Sequence, residues 1–253
     1  MHVDSPAITR IVSDTSSVKD VRVLAFPFAG GNANAFLKWK AFLPQNVEVL
    51  AYTPPGRGSR FADDLIDSMS GMVQDAFHYF EPYLDKPFML FGHSLGGLLA
   101  YEFLLHLHQN NKPTPFHFIS SARKAPDLPS MDGWSKLSDD DFIDKLDGLG
   151  GLHPDIASNQ ELIELLTPIL RNDIGVVEYY KPTPSTPIHC EATIIGGIND
   201  AKVPEDELWM WQAFFAPKID VHMYDEGHFY LTSSAKSLCQ TIQKLATKEL
   251  ASV

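Results

Sequence analysis

A strand-like run and a helix-like run meet at one serine, and this junction constrains the fold more than any other feature of the chain. FMLFG (88–92) is short and apolar, as a buried strand is, and LGGLLAYEFLLHLHQ (95–109) carries a mostly apolar helical pattern. Ser94 lies between them, with Gly92 and Gly96 flanking it at a spacing of two. G-x-S-x-G in this setting predicts a tight, strained turn in which a Cβ at either glycine would strike neighbouring backbone. The hydroxyl then projects above the sheet at a helix N-terminus, where backbone N–H groups favour developing negative charge. Gly97 is expected to let that helix pack close to the next strand.

The rest of the chain supplies a sheet to carry such a turn. VRVLAFPF (21–28), VEVLAYT (47–53), FHFISSA (116–122), ATIIGG (192–197) and IDVHMY (219–224) read as further strands. Helical segments are expected near 33–43, over 65–84, after VPEDELWMWQAFF begins, and from Ser233 to Leu250. Alternating strands and helices predict a mostly parallel sheet with helices on both faces. The alternation breaks from Ala125 to Lys181, where no strand is evident. LSDDDFIDKLDGLG reads there as a helix capped by Ser138, and NQELIELLTPILRNDIGVVEYY as one or two helices with Pro168 at a bend or boundary. We therefore expect a single domain over 1–253, with a flexible polar arm at 1–19 and a helical lid at about 132–181. The lid's apolar residues, among them Phe142, Leu146, Leu149, Leu162, Leu166 and Ile169, are expected mostly to pack and otherwise to face the space the lid covers.

The 253 residues suffice for one sizeable core. A formal net charge of −12 argues against a nucleic-acid partner, because phosphate binding needs a basic face. Cys190 and Cys239 are too few for a disulfide framework and are expected as buried thiols. The N-terminal stretch lacks the apolar core of a signal peptide, and no run approaches the ~18 apolar residues of a membrane span. The expectation is a cytoplasmic protein with no membrane partner, a monomer because no heptad or repeat is evident, with no metal site.

A serine hydroxyl is a weak nucleophile until a base takes its proton. In the α/β-hydrolase fold the partners follow in the order Ser, acid, His. Among ten histidines, His106 and His108 are carried away along the helix, His117 and His222 sit in strands, and His93 points elsewhere from the turn. His228, in the loop YDEGHFYL before the last helix, is the candidate base. Asp200, in IIGGINDAKVP, is the candidate acid that would accept from its Nδ1–H, ahead of Asp206 and Asp225. The oxyanion hole is assigned to the backbone N–H groups of Leu95 and Ala29, with Phe28 as the near alternative for the second. Phe28 and Phe229, which flank that loop and the base, are the candidate substrate contacts.

Several stretches together resemble the type II thioesterases that accompany non-ribosomal peptide and polyketide synthases. They are LAFPFAGGNANAF, PPGRGSRF, FGHSLGG, SARKAPDLP, LGGLHPDI, LLTPILRNDIGVVEYY, IIGGINDAKVP and EGHFYLTSS. Leu95 departs from the pattern, standing where many members have methionine, but its contribution is a backbone N–H. The resemblance implies an α/β-hydrolase fold with Ser94 as nucleophile, Asp200 as acid and His228 as base. It implies an acyl substrate on the phosphopantetheine arm of a carrier protein, an editing role, and no cofactor beyond that arm. Lys38, Lys40, Arg57, Arg60, Arg123 and Lys124 are candidates for a carrier-docking patch. The competing expectations are a general carboxylesterase or lipase, a medium-chain thioesterase associated with fatty-acid synthase, and a non-catalytic binding protein on the same scaffold.

Overall fold

A computed structural model describes residues 5–16, 18–131, 133–148, 150 and 159–252. Its seven strands are β1 (Ile8–Ile11), β2 (Val21–Phe26), β3 (Val47–Tyr52), β4 (Phe88–His93), β5 (His117–Ser121), β6 (Glu191–Gly197) and β7 (Asp220–Tyr224). They form one sheet in the order β1-β3-β2-β4-β5-β6-β7. All neighbours pair in parallel except β1, which runs antiparallel to β3. Every residue of β2, β3, β4 and β5 is buried. That is why these strands read as continuous apolar runs: helices cover both faces of a parallel sheet.

The helices are α1 (Met69–Phe80), α2 (Leu95–Gln109), α3 (Asp139–Asp147), α4 (Gln160–Glu178), α5 (Glu205–Trp209) and α6 (Ala235–Leu250). One apolar layer gathers α1 and α2 with Phe26, Leu90 and Phe118. The other gathers α6 and the segment after β2 with Val23, Phe91 and Ile119. Both cysteines are free and buried, and burial pushes each thiol up to about 12. Neither is therefore a thiolate near neutral pH.

Two expectations are corrected, and a third is narrowed to one of its alternatives. The span 1–19 is not simply an arm: Ile8–Ile11 pairs with Val49–Tyr52, and Ala7 and Ile11 are buried. Main-chain pairing to an open sheet edge, which has no side-chain signature, orders this segment. The helix expected near 33–43 is a 3₁₀ helix over Ala33–Ala41. Ala33, Phe36 and Trp39 are its buried residues, and three residues per turn aligns all of them on one face. Finally, the segment containing Pro168 is one helix, α4, with the proline inside it. Burial of Ile169, Leu170, Ile174, Val176 and Val177 outweighs the ~3 kcal/mol a mid-helix proline costs.

The segment between β5 and β6 contains α3 and α4 and no strand among its described residues. Ser138 caps α3, accepting from the Asp141 N–H at 3.2 Å. Phe142, Leu146, Leu170, Ile174 and Trp134 form a small apolar cluster of their own. Ile169 is also buried, Leu166 is half-buried and Leu162 is exposed. Asp132, Leu149 and most of LGGLHPDI lie outside the described residues.

Candidate active site

Ser94 sits between the last residue of β4 and the first of α2, with φ 56° and ψ −118°. A non-glycine residue in this region is strained by about 1–3 kcal/mol. The turn closes so tightly that a Cβ on Gly92 would lie 1.9 Å from the Gly96 carbonyl oxygen, and one on Gly96 would lie 2.2 Å from that of Phe26. The Ser94 N–H donates to the Ser121 carbonyl at 2.8 Å, which ties the turn to the adjacent strand. A Cβ on Gly97 would lie 2.9 Å from Ser120 Oγ, so α2 rests directly on the residues at the end of β5.

The ends of β6 and β7 bring the other two groups to this hydroxyl. His228 Nε2 lies 3.1 Å from Ser94 Oγ, and His228 Nδ1 lies 2.6 Å from Asp200 Oδ2. A carboxylate can only accept, so Nδ1 carries the ring proton and Nε2 of the neutral ring accepts from the serine. The other Asp200 oxygen accepts from the Lys202 N–H at 3.0 Å. His228 and Asp200 are buried. Asp225 and Asp206 are both exposed, and Asp225 accepts from Asn199 at 3.1 Å. An arrangement of this kind can remove the serine proton as the oxygen attacks an acyl carbon.

His93, beside the serine, is not a base but holds one. Its Nε2–H donates to the His228 carbonyl at 2.9 Å, and its Nδ1 lies 2.9 Å from Ser121 Oγ. Full burial, and secondarily His228, hold its pKa well below the ordinary histidine value, so the ring stays neutral. Sequence reasoning assigned it no role because its partner is a main-chain carbonyl 135 positions away.

Leu95 is the first residue of α2, so its N–H has no intrahelical acceptor. Ala29 lies in the loop after β2, half-buried between the main core and the small cluster of the insertion. Gly30 fixes that loop: its N–H donates to Asp173 Oδ2 of α4 at 2.7 Å. Gly30 has φ 75°, and a Cβ there would lie 2.5 Å from Leu170 Cδ2. Arg57 grips the same carboxylate with both terminal nitrogens, Nη2 at 2.9 Å from Oδ1, and both side chains are buried. Asp173 and Arg57 thus bind the insertion to the loop carrying Ala29. RNDIG contains the aspartate in plain view, but its buried partners are set only by tertiary packing.

Ser94 and His228 open on a cleft of about 380 Å³, whose walls include Ala122, Arg123, Met131, Trp134 and Lys202. Phe28 and Phe229 meet edge to face at 5.1 Å, and are not among the residues lining that cleft. The proposed docking patch does not form. Arg57, Arg60 and Arg123 are buried, the first two engaged with Asp173 and Asp75 respectively. Only Lys38 and Lys40 of the six are exposed, and Lys124 is half-buried beside Glu207 at 3.3 Å. Among the described residues no helix is long and apolar enough to cross a membrane, and no group of acidic, histidine or cysteine side chains is arranged to hold a metal.

The model of the thioesterase domain family matches residues 21–246. Gramicidin S biosynthesis protein GrsT of Aneurinibacillus migulanus is 30% identical over 233 residues, spanning 92% of this chain and 91% of that protein. Among solved structures, the thioesterase RedJ of the prodiginine pathway in Streptomyces coelicolor superposes with a TM-score of 0.83 at 28% identity, covering 90% of this chain and 86% of RedJ. YbtT, a type II thioesterase from the yersiniabactin NRPS/PKS pathway, gives a TM-score of 0.80 at 27% identity, covering 93% and 96%.

Proposed function

Because this chain belongs to the thioesterase family, we propose that it hydrolyses acyl thioesters through an acyl-enzyme on Ser94, with His228 as general base and acid and Asp200 as the residue that orients it. The observation that carries this reading is the unbroken chain from Ser94 Oγ to His228 Nε2 at 3.1 Å and from His228 Nδ1 to Asp200 at 2.6 Å.

The serine oxygen attacks the thioester carbonyl as Nε2 takes its proton. The N–H groups of Leu95 and Ala29 receive the oxyanion; losing one such donor typically costs roughly 100- to 1,000-fold in rate. Collapse of the tetrahedral adduct expels the thiol, which Nε2 protonates. Water then enters, loses a proton to the same nitrogen and releases the acid, restoring Ser94. Asp200 stabilises the imidazolium in both halves.

The acyl group is delivered on the phosphopantetheine arm of a carrier-protein domain, and the role is editing: stalled or aberrant acyl groups are removed so that a synthase can continue. Support comes from the biosynthetic settings named for GrsT and YbtT. The protein needs no cofactor of its own in this scheme, and acts as a monomer in the cytoplasm beside its carrier partners. The insertion at about 132–181 acts as a lid, a reading supported by Trp134 on the cleft wall.

The test is hydrolysis of acyl-phosphopantetheinyl carrier proteins, from acetyl to medium chain, beside carrier-free acyl thioesters, with Ser94→Ala as control. Faster turnover on the carrier, abolished by the substitution, is expected. Equal or better turnover on carrier-free thioesters removes the carrier from the reading, and a preference for oxygen esters replaces it with a general esterase.

A further inference from the structure

Arg123 is a buried cation that faces no counter-charge among the described residues. It is 4% exposed, it makes no ion pair with a carboxylate among the described residues, and its Nε is buried with no hydrogen-bond partner. Among the described residues its side chain makes one hydrogen bond, from Nη1 to Ser130 Oγ at 3.1 Å. Both residues line the cleft onto which Ser94 and His228 open, and the bond to Ser130 places the guanidinium beside it. Two other buried arginines are built differently: Arg57 and Arg60 each hold a carboxylate through two nitrogens.

The position is held firmly. Trp211 Nε1–H donates to the Arg123 carbonyl at 2.8 Å, and the Arg123 stem packs over Gly97 at the start of α2. Burial lowers the guanidinium to about 10, which still leaves it charged at neutral pH. An uncompensated buried charge is costly, and a planar guanidinium favours carboxylate or phosphate oxygens. Among the described residues Lys202 and Lys124 also line the cleft and no aspartate or glutamate does, Lys124 being paired with Glu207 at 3.3 Å. This is a cationic pocket in a chain of net charge −12.

We infer that Arg123 forms an anion subsite beside the reacting centre, which receives an oxyanion carried by the substrate itself. Resting on the thioesterase reading above, this defines a substrate class: acyl thioesters whose acyl group ends in a carboxylate. The phosphate of the pantetheine arm carries the same chemistry, but it lies at the far end of a long arm from the thioester. The cleft holding Arg123 also holds Ser94 and His228, within about 380 Å³. The acyl carboxylate is therefore the better match.

The experiment compares succinyl- and glutaryl-pantetheine with butyryl- and pentanoyl-pantetheine, each also as the phosphopantetheine thioester. The proteins are the intact chain, Arg123→Gln and Arg123→Lys. Binding of the same thioesters to Ser94→Ala, with and without Arg123→Gln, is measured by calorimetry and does not depend on turnover. The expected result is a preference for carboxylate-bearing acyl groups of about tenfold or more in kcat/KM, carried mainly by KM, as expected for a charge-assisted bond. Arg123→Gln removes it and Arg123→Lys restores part of it, while butyryl turnover stays within a few-fold. Calorimetry shows the same order. A wild-type protein that treats succinyl and butyryl alike, or a preference that survives Arg123→Gln, overturns the inference and leaves the thioesterase reading intact. A loss that follows the arm's phosphate whatever the acyl group assigns Arg123 to the arm and overturns the acyl-carboxylate class. Failure to hydrolyse any thioester refutes the thioesterase reading alone, and the calorimetry then decides the subsite.

Discussion

Around Ser94, β4 and the opening of α2 are buried on every side and belong to core layers that run through the whole sheet. The insertion meets the same cleft from the other direction, with a satellite cluster of Trp134, Phe142, Leu146, Leu170 and Ile174. It keeps Leu162, Leu165 and Tyr179 exposed. The difference assigns two jobs. A strained turn holding a hydroxyl against an imidazole needs a support that over-determines it. Under the proposed function the insertion admits and releases an acyl chain, and such a segment belongs to the low-stability end of a structure. The two regions are not independent: Asp173, on α4, accepts from Gly30 in the loop that carries Ala29. When the insertion is seated, that loop is held.

The largest effect expected lies wholly in the rigid region. Ser94→Ala should lower kcat by about 10⁴- to 10⁶-fold, the scale seen when a triad nucleophile is removed, with little change in Tm. Ser94→Gly should be equally inactive and more stable than Ser94→Ala, because glycine accepts φ 56° without strain. Thermal melts beside single-turnover assays check both.

The joint between the regions comes next. Arg57→Met leaves Asp173 buried without its cation, and should cost about 3–5 kcal/mol, read by urea denaturation. Adding Asp173→Leu should recover much of that stability. It should not recover kcat, because the Gly30 N–H has then lost its acceptor. Recovery of both would separate the insertion from the loop and break the comparison.

Truncation in each region sharpens the contrast further. Leu104→Ala, in the fully buried middle of α2, should cost about 2–5 kcal/mol in global stability. Leu170→Ala, in the small cluster, should fall at or below the bottom of that range. It should instead speed amide hydrogen exchange in α3 and α4, leaving β4 protected.

A further effect is a dependence on pH that belongs to the sheet. His117 on β5 donates or accepts at Thr193 Oγ1 at 2.8 Å. Burial lowers its pKa to about 4, against partial opposition from Glu191 and Asp220 and with assistance from Lys248. The unfolded chain binds this proton at about 6.5, so between about 6.5 and 4 the unfolded state holds more protons than the folded one. Stability is complete above 6.5 and falls with acidification, by roughly 2–3 kcal/mol at pH 4. His117→Gln should flatten that part of the stability profile, and the loss should appear as global unfolding rather than as opening of the insertion.

The same contrast explains what could be read from the chain. Leu95–Gln109 was legible to its ends, since glycine spacing, apolar content and the strand before it all point one way. Asp200 and His228 were legible as loop residues after the last two strands, because parallel order fixes which loops converge. β1 was not, since a four-residue edge strand carries almost no pattern. The 3₁₀ helix over Ala33–Ala41 was hidden because apolar residues three apart suit either helix. The arginines after β3 look like surface charge in a Pro/Gly loop. Their burial depends on Asp173 and Asp75, which lie on helices elsewhere in the chain. Arg123 followed the same misreading for the same reason: sequence shows a charge but not what surrounds it.

The most direct test of the account is intact-mass analysis of the protein after rapid mixing with a slowly turned-over acyl-pantetheine, followed by peptide mapping. One acyl adduct is expected, on Ser94, formed with stoichiometric release of thiol and absent in Ser94→Ala. It should accumulate further when His228 is replaced by glutamine if any acylation persists. Thiol release at the wild-type rate from Ser94→Ala, or an adduct mapped to another residue, would contradict it.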